Sequence, residues 1–245
     1  MSVMAIDAGN SRIKWGIFQD GAWLHRGALD TSAAAELGEA LRGVQRPERI
    51  AIANVAGEQV RARIEAALEH FPVCAQWVTG RAQQCGVRSS YADPAQLGPD
   101  RWAALVGARG RCDSACVVVM AGTTVTIDTL SSEGVFLGGC ILPGVALMQE
   151  ALARSTARLA RREGAFHFFP DNTADAIVSG ALNAIGGAID RMARYLHEAG
   201  EPDALIVLSG GAASVLAPQL HGRIVLVDNL VLEGLVRIAE DGGPA

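Results

Sequence analysis

Asp7-Ala8-Gly9-Asn10-Ser11 ends a short apolar run, Val3–Ile6, and Ile13–Phe18 resumes a strand-like pattern just after it. A strand, a turn of glycine and hydroxyl residues and a returning strand suit phosphate binding. Glycine lets the backbone approach closely, its N–H groups can point at an anion, and hydroxyls add donors. Asp7, at the end of the first strand, faces the same point and offers oxygen to Mg²⁺. Nearly half the chain later the pattern recurs: Val119-Met120-Ala121-Gly122-Thr123-Thr124 matches Ile6–Ser11 as apolar, any residue, Ala, Gly, polar, hydroxyl, and Val125–Leu130 returns. Two such hairpins facing each other across a cleft would grip an ATP triphosphate from both sides. Neither fits G-x-x-x-x-G-K-[ST] or G-x-G-x-x-G. One glycine hairpin alone reads as a structural turn; the repetition points to a nucleotide. A third turn, Ser209-Gly210-Gly211, serves equally as a tight strand-to-helix connection or as a bed for adenine or ribose.

The elements that must carry these turns alternate. Strands are expected at Val3–Ile6, Ile13–Phe18, Trp23–Leu29, Arg49–Val55 and Val73–Val78, with helices over Ser32–Leu41 and Gln59–Glu69. The second half gives strands at Ala115–Val119, Val125–Leu130, Val135–Ile141, Leu205–Leu208 and Ile224–Val227. Helices are expected at Val145–Ala157, Thr173–His197 and from Leu230 onward. This is an α/β layer pattern with a duplicated supersecondary unit, so two similar domains are expected, 1–114 and 115–245, flanking a central cleft. The long helix contains Gly180, Gly186 and Gly187, which close packing of another backbone, within the chain or from a second copy, would explain.

Composition narrows the function. Half of the 245 residues are apolar, enough for a sizeable core, and no apolar run approaches the ~18 residues of a membrane span. The N-terminus has no basic start and cleavage site, so a cytoplasmic protein is expected. A net charge of −5 argues against nucleic acid as partner. The five cysteines are odd in number and scattered; they read as packing residues in a reducing compartment. Lys14, the only lysine, lies within the first motif, facing either phosphate or solvent.

As an ordered set the motifs resemble the type III pantothenate kinases. Asp7-Ala8-Gly9-Asn10-Ser11 looks like their D-x-G-N-[ST] phosphate loop, and Gly98-Pro99-Asp100-Arg101 like their G-x-D-R, with a helix expected over Trp102–Arg109. Ala121-Gly122-Thr123-Thr124, Gly138-Gly139, Pro143-Gly144, Asn172-Thr173 and Ser209-Gly210-Gly211 follow in family order. The resemblance implies ATP-dependent phosphorylation of pantothenate with Mg²⁺, the first step of coenzyme A synthesis. It also implies duplicated ribonuclease-H-like (actin-like ATPase) domains and a homodimer. By this match Asp7, Ala8, Gly9, Asn10, Ser11, Arg12, Ile13 and Lys14 bind ATP, with Asp7 on Mg²⁺ and Thr123 contacting phosphate. Tyr91, Gly98, Pro99, Asp100, Arg101 and Thr173 line the pantothenate pocket. Asp100 is the candidate general base, or the N-cap of the following helix, or both. Arg101 offers a planar, permanently charged donor to the substrate carboxylate, its plainer alternative being a surface salt bridge. Thr173 serves as substrate contact or helix cap.

One position departs from the family. Many members have aspartate, associated with a bound K⁺ or NH₄⁺, where this chain has Met120, whose thioether is a poor ligand for a hard cation. Activity independent of a monovalent cation, or another group in its place, is the expectation. Asp128 reads as an exposed strand carboxylate. Two other functions compete with the kinase: an ATP-binding accessory protein with weak or no activity, and another superfamily member such as a sugar kinase or polyphosphate hydrolase.

Overall fold

The computed structural model describes residues 1–156, 159 and 163–242, and the chain divides into two units. The first holds Met1–Asp113, Gly134–Phe136 and the segment from Asn229 onward; the second holds Ser114–Glu133 and Leu137–Asp228.

In the first unit β1 (Ser2–Ala8), β2 (Arg12–Gln19) and β3 (Ala22–Asp30) form an antiparallel meander. A 3-10 segment, Thr31–Glu36, runs into the single-turn helix α1 (Leu37–Ala40), where one helix over Ser32–Leu41 was expected. Then come β4 (Arg49–Asn54), α2 (Glu58–Leu68), β5 (Ala75–Trp77), the short hairpin β6 (Gln83–Gln84) and β7 (Val87–Ser89), and α3 (Pro99–Arg109). The main sheet has the order β3-β2-β1-β4-β5. β1 is its centre, antiparallel to β2 and parallel to β4, and its Val3, Met4, Ala5 and Ile6 are all buried. A strand covered on both faces reads as an unbroken apolar run.

The second unit repeats this plan. Its elements are β8 (Cys116–Ala121), β9 (Thr124–Leu130), β10 (Val135–Pro143), α4 (Val145–Ser155), α5 (Thr173–Glu198), β11 (Leu205–Ser209), α6 (Ala213–Leu216) and β12 (Ile224–Val227). β8 is antiparallel to β9 and parallel to β11, within the order β12-β11-β8-β9-β10. Strand for strand this is the first unit's order, which makes the duplication a property of the whole sheet. The first two residues of β10, Val135 and Phe136, belong to the first unit, where they pair with Arg88 and Ser89 of β7. The expected end of α4 at Ala157 lies outside the described residues.

The last helix, α7 (Leu230–Asp241), folds into the first unit against α3. Gly107 and Gly234 face each other at the crossing: a Cβ on Gly107 would meet the Leu230 carbonyl at 2.5 Å, and one on Gly234 would collide with the Ala103 carbonyl. Arg111 closes the pair with two 2.5 Å hydrogen bonds to the Glu233 carboxylate. Because α3 is buried from Arg101 to Ala108, its position is tightly specified.

Candidate active site

The first turn is a hairpin whose last paired residues are Ala8 and Ile13, closed by the Gly9 amide donating to the Arg12 carbonyl at 3.0 Å. Thr31 braces it from β3's end: its hydroxyl donates to the Gly9 carbonyl at 2.7 Å, and its amide donates to the Ser11 carbonyl at 3.0 Å. Asn10, Ser11 and Arg12 remain exposed.

Asp7 and Lys14 are directly opposed across β1 and β2, so both side chains leave the same face of the sheet. Lys14 therefore shares a face of the sheet with the Asp7 carboxylate. Burial pushes the Asp7 carboxyl up to about 7; the Lys14 ammonium pulls it down, and the Asp100 carboxylate pushes it up further. Burial is the main cause of the rise, and a cation bound at the carboxylate would lower it again. Among the described residues no three His, Cys, Asp or Glu side chains cluster as a metal centre. One oxygen donor beside a glycine turn still fits Mg²⁺, which usually keeps its waters and takes one or two carboxylates plus nucleotide phosphates.

Asp100 stands at the second position of α3, not at its cap. Gly98 is the N-cap and Pro99 the first helical residue, so the helix begins three residues before the expected Trp102. Proline suits that position because its missing N–H would be unpaired there anyway. The Asp100 carboxylate folds back to accept from the Arg101 amide at 2.9 Å. It occupies space that only glycine at 98 leaves open, since a Cβ there would lie 2.7 Å from Asp100 Oδ1. Trp102, fully buried, anchors the same turn through its Nε1–H to Gln84 Oε1 at 3.2 Å.

Arg101 is buried, 7% exposed, so it is no surface salt bridge. Its guanidinium lies 5.9 Å from the centroid of the Phe136 ring, and the Tyr91 ring packs on the same phenylalanine at 5.0 Å. Phe136 thus joins two predicted pocket residues that are ten positions apart in sequence. Pro99 lines a cavity of ≈ 200 Å³ with Asn54, Trp77, Val78 and Leu97. That cavity lies where β4 and β5 end, and Asn54 pairs beside Ala8. The carboxyl ends of parallel strands are where open α/β sheets receive ligands.

In the second unit the turn is one residue shorter, closing between Ala121 and Val125, with the Gly122 amide donating to the Thr124 carbonyl at 3.1 Å. The Gly144 amide donates to the Thr123 carbonyl at 2.8 Å, and a Cβ on Gly144 would lie 2.6 Å from that oxygen. Gly210, at φ +105°, packs so closely that a Cβ would sit 2.5 Å from the Ala121 carbonyl. Three of this unit's glycine motifs, those at Gly122, Gly144 and Gly210, therefore meet at one place. Here Met120 opposes Thr126 where Asp7 opposes Lys14 in the first copy, and the Thr126 hydroxyl is buried without a hydrogen-bond partner among the described residues. Asp128, expected on the surface, is buried at 1% exposure. Thr173 is not the cap of α5: the Asn172 side chain caps it, accepting from the Asp175 amide at 3.0 Å. Thr173 instead lines an apolar groove of ≈ 590 Å³ with Pro143, Met148, Leu152 and Ile177.

The sequence profile of the type III pantothenate kinase family matches residues 3–195. The chain belongs to this family. A type III pantothenate kinase from Aromatoleum aromaticum is 48% identical over 99% of this chain and 100% of its own length. One from Nitrosospira multiformis is 44% identical over 98% and 91%. Solved structures of low identity share the fold alone. A Campylobacter jejuni protein described as a Baf family transcriptional activator superposes with a TM-score of 0.62 at 22% identity, over 97% of each chain. MreB 5 of Spiroplasma citri bound to AMPPNP superposes with 0.51 at 10% identity, over 95% and 94%. The duplicated sheets are those of the actin-like ATPases. As a type III pantothenate kinase, the chain places Asp7, Lys14, Tyr91, Gly98, Pro99, Asp100 and Arg101 in its first unit, and Thr123 and Thr173 in its second.

Proposed function

We infer that Asp7, Lys14 and Asp100 perform the family's reaction in this chain. The γ-phosphoryl group of ATP passes to the primary hydroxyl of pantothenate, yielding 4′-phosphopantothenate and ADP at the start of coenzyme A biosynthesis. The observation that carries the assignment is the opposition of Asp7 and Lys14 across the hairpin of the first turn, with the Asp100 carboxylate close enough to act on Asp7. Two carboxylates in one site suit two tasks, one on the cation and one on the acceptor hydroxyl.

The turn Gly9–Arg12 presents backbone N–H groups to the phosphates, and Lys14 adds positive charge where negative charge spreads in the transition state. Mg²⁺ on Asp7 would neutralise the β- and γ-phosphate oxygens. The pantothenate oxygen forms its bond to the γ-phosphorus as the bond to the β–γ bridging oxygen breaks, and Asp100 takes the hydroxyl proton. Arg101, desolvated against Phe136, binds the pantothenate carboxylate more firmly than an exposed guanidinium could. Tyr91 with the backbone of Gly98 and Pro99 borders the acceptor, consistent with the adjoining cavity. In the second unit, Thr123 sits in the glycine turn and Thr173 lines the apolar groove.

Met120 opposite Thr126 gives the second turn no carboxylate at the position matching Asp7, so turnover is independent of K⁺ or NH₄⁺. The chain works as a homodimer through its second unit. Phe168 and Phe169 are 84% and 95% exposed there, and Ile141 is also exposed. Gly180 and Gly187 of α5 have no described atom within 4 Å of where a Cβ would stand, so a second backbone can approach them. An enzyme that consumes ATP in this pathway belongs in the cytoplasm.

ADP release by purified protein, with pantothenate, with sugars and with no acceptor, tests the reading. Release that requires pantothenate supports it. Equal release without acceptor would make the chain a hydrolase, and no release with any acceptor would favour the accessory protein.

A further inference from the structure

We propose that Thr31 is a positioning residue for ATP, aiming the phosphate-binding amides of the first turn. The proposal rests on the kinase reading above and adds a residue outside every motif by which the family was recognised.

The geometry is a two-point grip. The Thr31 hydroxyl holds the Gly9 carbonyl at 2.7 Å and its amide holds the Ser11 carbonyl at 3.0 Å. A peptide unit is planar and trans, so its C=O and the following N–H point in opposite directions. Fixing the Gly9 carbonyl toward Thr31 therefore sends the Asn10 N–H to the other face of the turn, and fixing the Ser11 carbonyl does the same for the Arg12 N–H. Both residues are exposed on that turn. Without the grip either peptide can rotate and place a carbonyl oxygen where a phosphate oxygen must sit, turning attraction into repulsion. Thr31 can do this because Arg12 pairs with Asp30 at the end of the β2–β3 ladder, which delivers the next residue beside the loop. The second unit supports the same logic by a different route: there the carbonyl of Thr123 is held by the Gly144 amide. The first turn relies on a side chain, so one substitution there can remove a contact of the grip.

Thr31→Val keeps the shape and the backbone amide while deleting the hydroxyl donor. Steady-state kinetics with ATP and pantothenate, nucleotide binding by calorimetry with a non-hydrolysable ATP analogue, and thermal melting are measured for wild type, Thr31→Val and Thr31→Ser. The KM for ATP and the analogue Kd rise about three- to tenfold in Thr31→Val, the range for one net hydrogen bond. The KM for pantothenate and the melting temperature stay near wild type, and Thr31→Ser restores ATP binding. Unchanged analogue affinity in Thr31→Val, a parallel rise in both KM values with a lowered melting temperature, or failure of Thr31→Ser to rescue would overturn the proposal. A wild type that binds the analogue but does not phosphorylate pantothenate would refute the kinase reading alone, because the binding arm still decides the role of Thr31. A wild type that binds no nucleotide would refute both.

Discussion

Replacing Asp7 with asparagine removes a carboxyl that the fold holds at a pKa of about 7 against an ordinary 3.8. The sign follows from proton counting. Between those values the folded chain keeps a proton that the unfolded chain has released, so stability falls as pH rises through the window and levels off above about 7. Each pH unit inside the window costs about 1.4 kcal/mol. Wild type thus loses about 3 kcal/mol at most between pH 5 and pH 8, less to the extent that water reaches this part-exposed group. Asp7→Asn cannot titrate and loses none of this. Denaturant midpoints of nucleotide-free, Mg²⁺-free protein at both pH values give the comparison. Asp7→Asn should gain on wild type by about 2–3 kcal/mol between pH 5 and pH 8, while losing the ability to turn over. A stability gap that is the same at both pH values would mean that Asp7 ionises normally in the fold, and the argument for a cation-hungry carboxyl would fail. The same proton competes with the metal, so wild-type affinity for Mg²⁺ with ATP should fall about tenfold from pH 8 to pH 6.

Gly98→Ala should lower kcat by about 10- to 100-fold with little change in melting temperature, because its Cβ displaces only the Asp100 carboxylate, whose misplacement costs rate. Phe136→Leu should raise the KM for pantothenate several-fold and leave the KM for ATP unchanged, since the ring supports Arg101 and Tyr91; equal changes in both would deny it that role. Exchanging K⁺ for Na⁺ or choline should leave turnover within about twofold, as Met120 and Thr126 offer a hard cation no carboxylate; loss of turnover would show that another group binds one.

What sequence could reveal was local. The turns at Gly9 and Gly122 were legible because apolar runs and turn residues alternate there, and the repeat of the motif foreshadowed two sheets of identical strand order. The start of α3 was misplaced because its N-cap, Gly98, has no side chain to announce it and Pro99 reads as a breaker. Residues that act across the chain left no local signal. Thr31 reaches back to Gly9, Phe136 joins Tyr91 to Arg101, and α7 returns to cross α3 at Gly107 and Gly234. Asp128 looked exposed because one polar residue in a strand fits the solvent face; the sheet instead buries it. The opposition of Asp7 and Lys14 needed the hairpin register, which depends on the length of the turn.

The most direct test is a single-turnover experiment with enzyme in excess over ATP, following 4′-phosphopantothenate formation by wild type and Asp100→Asn, with ATP binding measured alongside. If Asp100 takes the hydroxyl proton, Asp100→Asn should bind ATP as wild type does yet form product at least about 100-fold more slowly. Product formation at the wild-type rate by Asp100→Asn would contradict the assignment of the base.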